Sequence, residues 1–215
     1  KPSLAPAHNN LGVVLKDLGR LDEAEVCYRR ALDLKPDYAE AISNQGVILL
    51  EQNMLQKAVS LFEQALSINP NLYSTLNSLG NAFTLLGKPQ EAFQSYERAL
   101  EINPSYLDVY LNFGNSLKKF KQYAGAIHCY QHVLKIDPKH AKTLYLLGEI
   151  YYETGNAELC KTYLTKSLAI DPSNLETRFA YAIAQIPKVA INTNEVSSSR
   201  QLFLNELKGL KASGN

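Results

Sequence analysis

The sequence lacks the features that mark several large classes of protein. Its 22 lysine and arginine residues are balanced by 21 aspartate and glutamate residues, so no general basic field favours a nucleic-acid partner. The longest apolar runs are too short to span a membrane, and we find no signal peptide. These absences favour an intracellular, cytoplasmic protein that binds neither nucleic acid nor membrane.

Cysteine is scarce, and no pattern typical of catalysis or metal binding is present. Cys27, Cys129 and Cys160 form no CxxC pair, so we interpret them as reduced core residues. His128 and His132 have a spacing that two metal ligands on one helix can have, but no third ligand adjoins them. We also find no nucleophile beside a base, no paired carboxylates in one cleft and no glycine-rich phosphate loop. We therefore predict no catalytic residue, no metal and no cofactor in this chain.

The strongest feature that the sequence does have is a period of 34 residues, shared by five prolines and five glycines. The prolines are Pro36, Pro70, Pro104, Pro138 and Pro172, and the glycines are Gly12, Gly46, Gly80, Gly114 and Gly148. A fixed period in this range indicates one supersecondary unit that is copied and stacked. Function is therefore expected on a surface of the stack.

Each unit carries a small, a large and again a small residue in its second half, as at Ala24, Tyr28 and Ala31 of the first unit. A small residue lets two helix backbones approach, an aromatic ring fills the space above it, and the proline stops the second helix. Each unit is thus predicted to be helix, turn, helix.

On these positions the chain resembles the tetratricopeptide repeat (TPR) family, which implies an all-α, right-handed solenoid of antiparallel helix pairs. The matching units are residues 5–38, 39–72, 73–106, 107–140 and 141–174. Gly19, Gly87 and Gly155 are expected to end first helices. Asn53 and Lys121 replace this glycine; asparagine tolerates a left-handed backbone, whereas Lys121 predicts a slightly different turn.

The ends of the chain depart from the repeat. We expect residues 1–4 to be a stub cut from further repeats, and residues 175–187 to be a degenerate sixth first helix. Residues 188–215 are expected to hold a linker, a helix that caps the last repeat and a tail. Asn192 and Glu195 resemble a capping box at the start of that helix. A docking helix toward a missing domain is the alternative.

The same end also resembles a more specific family. The segments "RFAYAIAQIPKV" and "SRQLFLNEL", within residues 175–210, are similar to the junction between the TPR array and the catalytic region of SPINDLY-type bacterial protein O-GlcNAc transferases. The resemblance implies that this chain is a substrate-recognition arm and that a glycosyltransferase domain follows Asn215.

In TPR proteins the first helices line a concave groove, through repeat positions two, five, six, nine, twelve and thirteen. In the first four units these positions are rich in amides, at Asn9, Asn10, Asn44, Asn77, Asn81, Asn112 and Asn115. A row of amides can hydrogen-bond the backbone of an extended peptide. The resemblance to O-GlcNAc transferases implies such an asparagine ladder at Asn10, Asn44 and Asn112, interrupted at Ser78 and Leu146. Alternatively, these asparagines cap turns or bond neighbouring helices.

Toward the C-terminal end the predicted groove changes character. Lys118 and Lys142 lie beside the aromatic Tyr145, a combination that favours acidic or carboxylate-bearing segments. A carboxylate clamp for chaperone tails is expected to be weak, because Asn77 and Leu146 stand where the clamp has cationic residues.

These observations favour a non-enzymatic module that binds a polypeptide in its groove. The alternatives are a free-standing scaffold that holds one protein partner, and self-association as a homodimer.

Overall fold

The computed structural model describes residues 4–185, 201 and 203–205, and every structural statement below concerns these residues. They form helices and turns without any strand, which confirms the all-α fold class. The helices with defined bounds are α1 (Ala5–Asp17), α2 (Leu21–Leu34), α3 (Ala39–Glu51), α4 (Leu55–Ile68), α5 (Tyr73–Leu85), α6 (Pro89–Ile102), α7 (Leu107–Lys119), α8 (Tyr123–Ile136), α9 (Ala141–Glu153), α10 (Ala157–Ile170) and α11 (Leu175–Ala184). Residues 201 and 203–205 are helical as well. The capping box predicted at Asn192 and Glu195 lies outside the described residues.

Odd-numbered helices are the first helices of the predicted units, and they begin at the same repeat position each time. The helices α1, α3, α5 and α9 each pack against the even-numbered helix that follows, and α1 also contacts α3, α3 contacts α5 and α9 contacts α11. The chain divides into two compact units, Lys1–Ser116 and Leu117–Asn215. No helix in the described part of the chain is long and apolar enough to cross a membrane.

The spacing between the glycine of the first helix and the large side chain of the second helix recurs in the repeats because the two residues are in direct contact. A Cβ atom added to Gly12 would lie 2.5 Å from Cε1 of Tyr28, and one added to Gly80 would lie 2.6 Å from Cε1 of Tyr96. No real Cβ contact is this short, so the first helix needs glycine where the large side chain of the second helix crosses it. Leu164 replaces the ring in the fifth unit, where it approaches Gly148 in the same way.

The core of the compact unit Lys1–Ser116 is built from the rings and small residues that the repeat pattern singled out. Phe62 and Tyr96 are fully buried there, together with Ala58 and Ala92. The Tyr96 ring stacks on Phe113 at a centroid distance of 5.3 Å. Each buried large side chain of this kind contributes about 1.5–3 kcal/mol of transfer free energy, so packing rather than helix propensity holds the helix pairs together.

The turns that end the first helices follow one backbone geometry. Gly19, Gly87 and Gly155 have positive φ, as predicted, and Asn53 adopts the same conformation with φ 60°. The different turn predicted at Lys121 is wrong, because this lysine also has φ 60°.

Two backbone hydrogen bonds explain why Lys121 takes this conformation. Its N–H donates to the carbonyl of Lys118 at 2.9 Å, and the Gln122 N–H donates to that of Leu117 at 2.8 Å. The same pair of bonds closes the turn at Gly19. They satisfy carbonyls at the helix end that would otherwise lack donors, and this outweighs the cost of about 1–2 kcal/mol for a left-handed side-chain-bearing residue.

Candidate functional site

The amide row, defined as the seven asparagines named above, is partly bonded to itself. The Asn44 side-chain N–H donates to the amide oxygen of Asn9 at 2.9 Å. The Asn112 side-chain N–H donates to that of Asn77 at 3.1 Å. In both pairs an asparagine at position six meets the one at position five of the preceding repeat. The alternative that these asparagines bond neighbouring helices therefore holds for two pairs.

The two members of each pair differ in exposure. Asn9 and Asn77 are buried, 6% and 7% exposed, and act as acceptors. Asn44 and Asn112, which act as donors, are only half-buried. Burial restricts what Asn9 and Asn77 can offer an external ligand, whereas the donors of the pairs keep part of their hydrogen-bonding capacity.

At the junction between these two pairs, hydroxyl groups replace the amides. The Thr75 hydroxyl donates to the Ser43 hydroxyl at 2.8 Å in a buried position. Ser78, where the predicted ladder is interrupted, donates to the backbone carbonyl of Ser74 instead. The interruption expected from sequence is thus a place where the hydroxyl is used within its own helix.

Asn81 has a different role from the rest of the amide row. The Tyr96 hydroxyl donates to its amide oxygen at 2.8 Å. The same hydroxyl lies 3.3 Å from the Thr84 hydroxyl, which in turn lies 2.7 Å from that of Ser116. Burial raises the pKa of Tyr96 to about 12, so it remains a neutral donor. Asn81 therefore anchors a core tyrosine and offers less to a ligand than we predicted.

The corresponding tyrosine of the first repeat lacks this anchor. Val13 occupies the position of Asn81, and the buried hydroxyl of Tyr28 has no hydrogen-bond partner among the described residues. Desolvation raises the pKa of Tyr28 to about 12. The contrast shows that the ring at this position is required for packing, while its hydroxyl is not.

The remaining asparagines of the row, Asn10 and Asn115, are exposed. The Asn10 side chain makes no hydrogen bond within the described part of the chain. It follows the buried Asn9 directly, so two adjacent amides of α1 have separate environments. Asn10 is consequently the member of the row that is most available to a ligand.

In the compact unit Leu117–Asn215, the predicted cationic residues are already paired with carboxylates. The Lys118 ammonium lies 2.5 Å from a carboxylate oxygen of Glu149, and that of Lys142 lies 2.8 Å from Glu176. The Lys142 ammonium also lies 4.6 Å from the centroid of the Tyr145 ring. The preference for acidic segments that the lysines suggested is therefore not supported, because each lysine is already paired with a carboxylate of this chain.

Tyr145 is buried at the centre of this cluster. Its hydroxyl donates to the second carboxylate oxygen of Glu149 at 2.8 Å. Burial, together with the charge of Glu149, raises the pKa of Tyr145 well above its usual range. The hydrogen bond from Lys142 lowers the pKa of Glu176, so that carboxylate is charged at neutral pH. Tyr145 thus stays a neutral donor between carboxylates.

A cavity of about 280 Å³ opens beside Tyr145, between α9 and α11. We call it the α9–α11 cavity. Its lining residues are Tyr145, Gly148, Glu149, Tyr152, Glu153, Leu164, Glu176, Phe179, Ala180 and Ile183. Most of them occupy the repeat positions that were predicted to face the groove. The sequence reasoning missed Glu176, Phe179 and Glu153, although their positions two, five and thirteen could have identified them.

The three cysteines and the two neighbouring histidines form no site. Cys27, Cys129 and Cys160 are buried and form no disulfide, as predicted. Burial raises the pKa of the Cys129 thiol to about 11, which keeps it protonated and unreactive. Within the part of the chain that the structure describes, no group of three or more histidine, cysteine, aspartate or glutamate side chains is placed to hold a metal ion.

Family models described as tetratricopeptide or TPR repeats match residues 3–71, 73–106, 114–155 and 141–174. The chain belongs to the tetratricopeptide repeat family. None of the curated proteins compared with it matches significantly.

Solved TPR structures show the same architecture. YrrB, described as a TPR protein with an unusual peptide-binding site, is 26% identical, with a TM-score of 0.64 over 79% of this chain and 88% of YrrB. PilF of Pseudomonas aeruginosa is 18% identical, with a TM-score of 0.80 over 98% of this chain and 91% of PilF. PilW, a type IV pilus biogenesis factor, is 19% identical, with a TM-score of 0.83 over 97% and 93%. The last two similarities establish the fold alone.

Proposed function

We propose that this TPR protein binds extended polypeptides on its first helices, through repeat positions two, five, six, nine, twelve and thirteen. We call these positions the first-helix face. Peptide binding is a common use of repeat arrays, whose stacked units present extended surfaces. The described peptide-binding site of YrrB supports this class of function for the present chain.

The observation that carries the proposal is the fixed orientation of two amides. Asn44 and Asn112 each donate one N–H to a buried asparagine of the preceding repeat. The bond holds the side chain in one rotamer and leaves an amide oxygen and a second N–H for another partner. A peptide backbone offers both a donor and an acceptor at each residue, so it matches such an amide. Because the amides are ordered before binding, the entropic cost of binding is reduced.

Backbone-directed binding makes a clear prediction about selectivity. We expect unrelated unstructured peptides that lack arginine and lysine to bind with similar, modest affinity, measured by isothermal titration calorimetry. A proline-rich peptide of equal length is the control. Proline lacks the backbone N–H that would donate a hydrogen bond to the side-chain oxygen of Asn44 or Asn112. Weaker binding of that control supports the proposal. Equal binding of both classes, or no binding at all, contradicts it.

A finer form of the proposal is that the chain is the substrate-recognition arm of a SPINDLY-like protein O-GlcNAc transferase. Its support is the sequence similarity within residues 175–210, and the matched solved structures described above add none. The test is the coding sequence after Asn215. A nucleotide-sugar-binding domain encoded there would support this form, and a nearby stop codon would contradict it.

The alternative is a scaffold that assembles one protein complex. A scaffold would hold one defined sequence with nanomolar affinity, whereas amide contacts to a backbone give weaker and broader binding. Light scattering at two protein concentrations would test the further alternative of a homodimer.

A further inference from the structure

The α9–α11 cavity combines aromatic walls with carboxylates. Phe179 is 52% exposed and Tyr152 is 36% exposed, so both rings line an open space. Tyr145 lines the same cavity from below the surface. With a volume of about 280 Å³, the cavity is slightly smaller than sites for drug-sized ligands, which begin at about 300 Å³. It therefore suits one side chain of a larger ligand.

The charge around the cavity is negative. Three of the lining residues, Glu149, Glu153 and Glu176, are carboxylates, and no lysine, arginine or histidine lines it. Two ammonium groups pair with these carboxylates from outside the lining, Lys118 with Glu149 and Lys142 with Glu176. Three negative charges less two positive charges leave one negative charge.

Glu153 is the carboxylate that carries this excess. It accepts a hydrogen bond from the neutral hydroxyl of Tyr123 and makes no ion pair with any of the described residues. Its side chain is exposed. A neutral donor leaves the charge of a carboxylate intact, so Glu153 can still attract a cation to the cavity.

The protein already places a cation against one of the aromatic rings that line the cavity. The Lys142 ammonium lies over the face of Tyr145. The negative face of an aromatic ring attracts cations, and the attraction is larger where water is partly excluded. Phe179 provides a second ring at the open side of the cavity. Rings and a carboxylate together suit a guanidinium or ammonium group.

We propose that the α9–α11 cavity binds an arginine or lysine side chain of a bound polypeptide, with Phe179 and Tyr152 as walls and Glu153 as the counter-charge. The inference rests on the proposed function, because it assigns a side-chain preference to a protein that otherwise contacts the peptide backbone. It reverses the preference that the lysines suggested from sequence alone.

The probes are blocked nine-residue glycine–serine peptides that differ at the central residue, which is arginine, citrulline or glutamate. Citrulline has nearly the shape of arginine without its charge. Binding to the whole chain is measured by isothermal titration calorimetry. We expect the arginine peptide to bind about tenfold more tightly than the citrulline peptide, as one cation–π contact with a nearby carboxylate would give.

Two substitutions locate the site. Glu153→Gln keeps an oxygen that accepts the Tyr123 hydrogen bond and removes the charge, and Phe179→Ala removes an exposed wall. Each is expected to abolish most of the preference for arginine over citrulline. Glu158→Gln is the matched control, because Glu158 is exposed on α10 and does not line the cavity. It should leave the preference unchanged.

The outcomes separate this inference from the proposed function. Equal binding of the arginine and citrulline peptides would overturn the cationic site while leaving backbone binding intact. Tighter binding of the glutamate peptide, or an arginine preference that survives both substitutions, would also overturn it. No binding by any peptide would overturn both proposals. A dimer in light scattering that dissociates in Glu153→Gln would make a second copy the occupant and overturn the peptide site.

Discussion

Asn44 donates a side-chain hydrogen bond of 2.9 Å to Asn9, which lies in the first helix of the preceding repeat. Asn112 and Asn77 repeat this relationship with a distance of 3.1 Å. In each pair the buried partner accepts, and the half-buried partner donates. One bond thus links two repeats and at the same time orients an amide toward the surface that we propose binds peptide.

The first prediction separates the structural amide from the exposed one. Asn9→Ala removes the acceptor of the Asn44 N–H in a buried position, and we expect the free energy of unfolding to fall by about 1–2 kcal/mol. Asn10→Ala is the matched control on the same helix, with an expected change within about 0.5 kcal/mol because Asn10 is exposed. Urea unfolding measures both. Equal losses in the two variants would contradict the division of roles.

The second prediction compares two tyrosines at the same repeat position. Tyr96→Phe leaves the Asn81 oxygen without its donor, and we expect a loss of about 1 kcal/mol in the free energy of unfolding. Tyr28→Phe removes a buried hydroxyl that has no partner, so it should be neutral or stabilising by about 1 kcal/mol. Thermal unfolding of both variants is the measurement. A comparable loss in Tyr28→Phe would show that its hydroxyl is satisfied in solution.

The third prediction concerns the turn at Lys121. Because its φ is 60°, Lys121→Gly relieves the steric cost of a left-handed side-chain-bearing residue and should raise the free energy of unfolding by about 1 kcal/mol. Gly87→Ala is the reverse control, since it adds a side chain at φ 73° and should lower stability by a similar amount. A destabilised Lys121→Gly variant would indicate that the lysine side chain contributes more than its backbone costs.

The fourth prediction is a loss of stability at high pH. The unfolded-state tyrosine pKa is about 10, whereas that of Tyr28 and of Tyr96 in the folded protein is about 12. Unfolding therefore releases protons between these values, so stability is full below pH ~10 and falls by up to ~1.4 kcal/mol per pH unit for each tyrosine as pH rises.

Chemical unfolding at a series of alkaline pH values, with phenolate absorbance recorded in parallel, measures this loss. Tyr96→Phe should make the decline shallower, because it removes one of the tyrosines whose pKa is raised on folding. Titration of all 13 tyrosines in a single step near pH 10 while the protein remains folded would rule out the account.

Much of the fold could be predicted because the repeat places one physical constraint at the same position each time. The pattern of small, large and small residues identified Ala92, Tyr96 and Ala99 as core residues, and all three are fully buried. The turn at Lys121 could not be predicted from its residue type. There the hydrogen bonds that close the helix end override the preference of lysine, and that balance is visible only in the backbone.

The site was less predictable, because side chains that are distant in sequence decide its charge. Lys118 pairs with Glu149, and Lys142 pairs with Glu176 one full repeat later. When each helix is considered alone, the lysines indicate a cationic surface. Only the pairing across adjacent first helices shows that carboxylates are in excess. The asparagine bonds likewise depend on which positions of neighbouring repeats meet.

The most direct test of the account is peptide binding by the variant Asn10→Ala/Asn44→Ala/Asn112→Ala, measured by isothermal titration calorimetry with an unstructured peptide. The control is Gln56→Ala/Gln131→Ala, which removes exposed amides from second helices. Unfolding curves confirm that each variant is folded at the assay temperature. We expect the triple variant to lose at least tenfold in affinity while the control binds like the unmodified protein. Unchanged binding by the folded triple variant would contradict the claim that the first-helix amides hold the peptide.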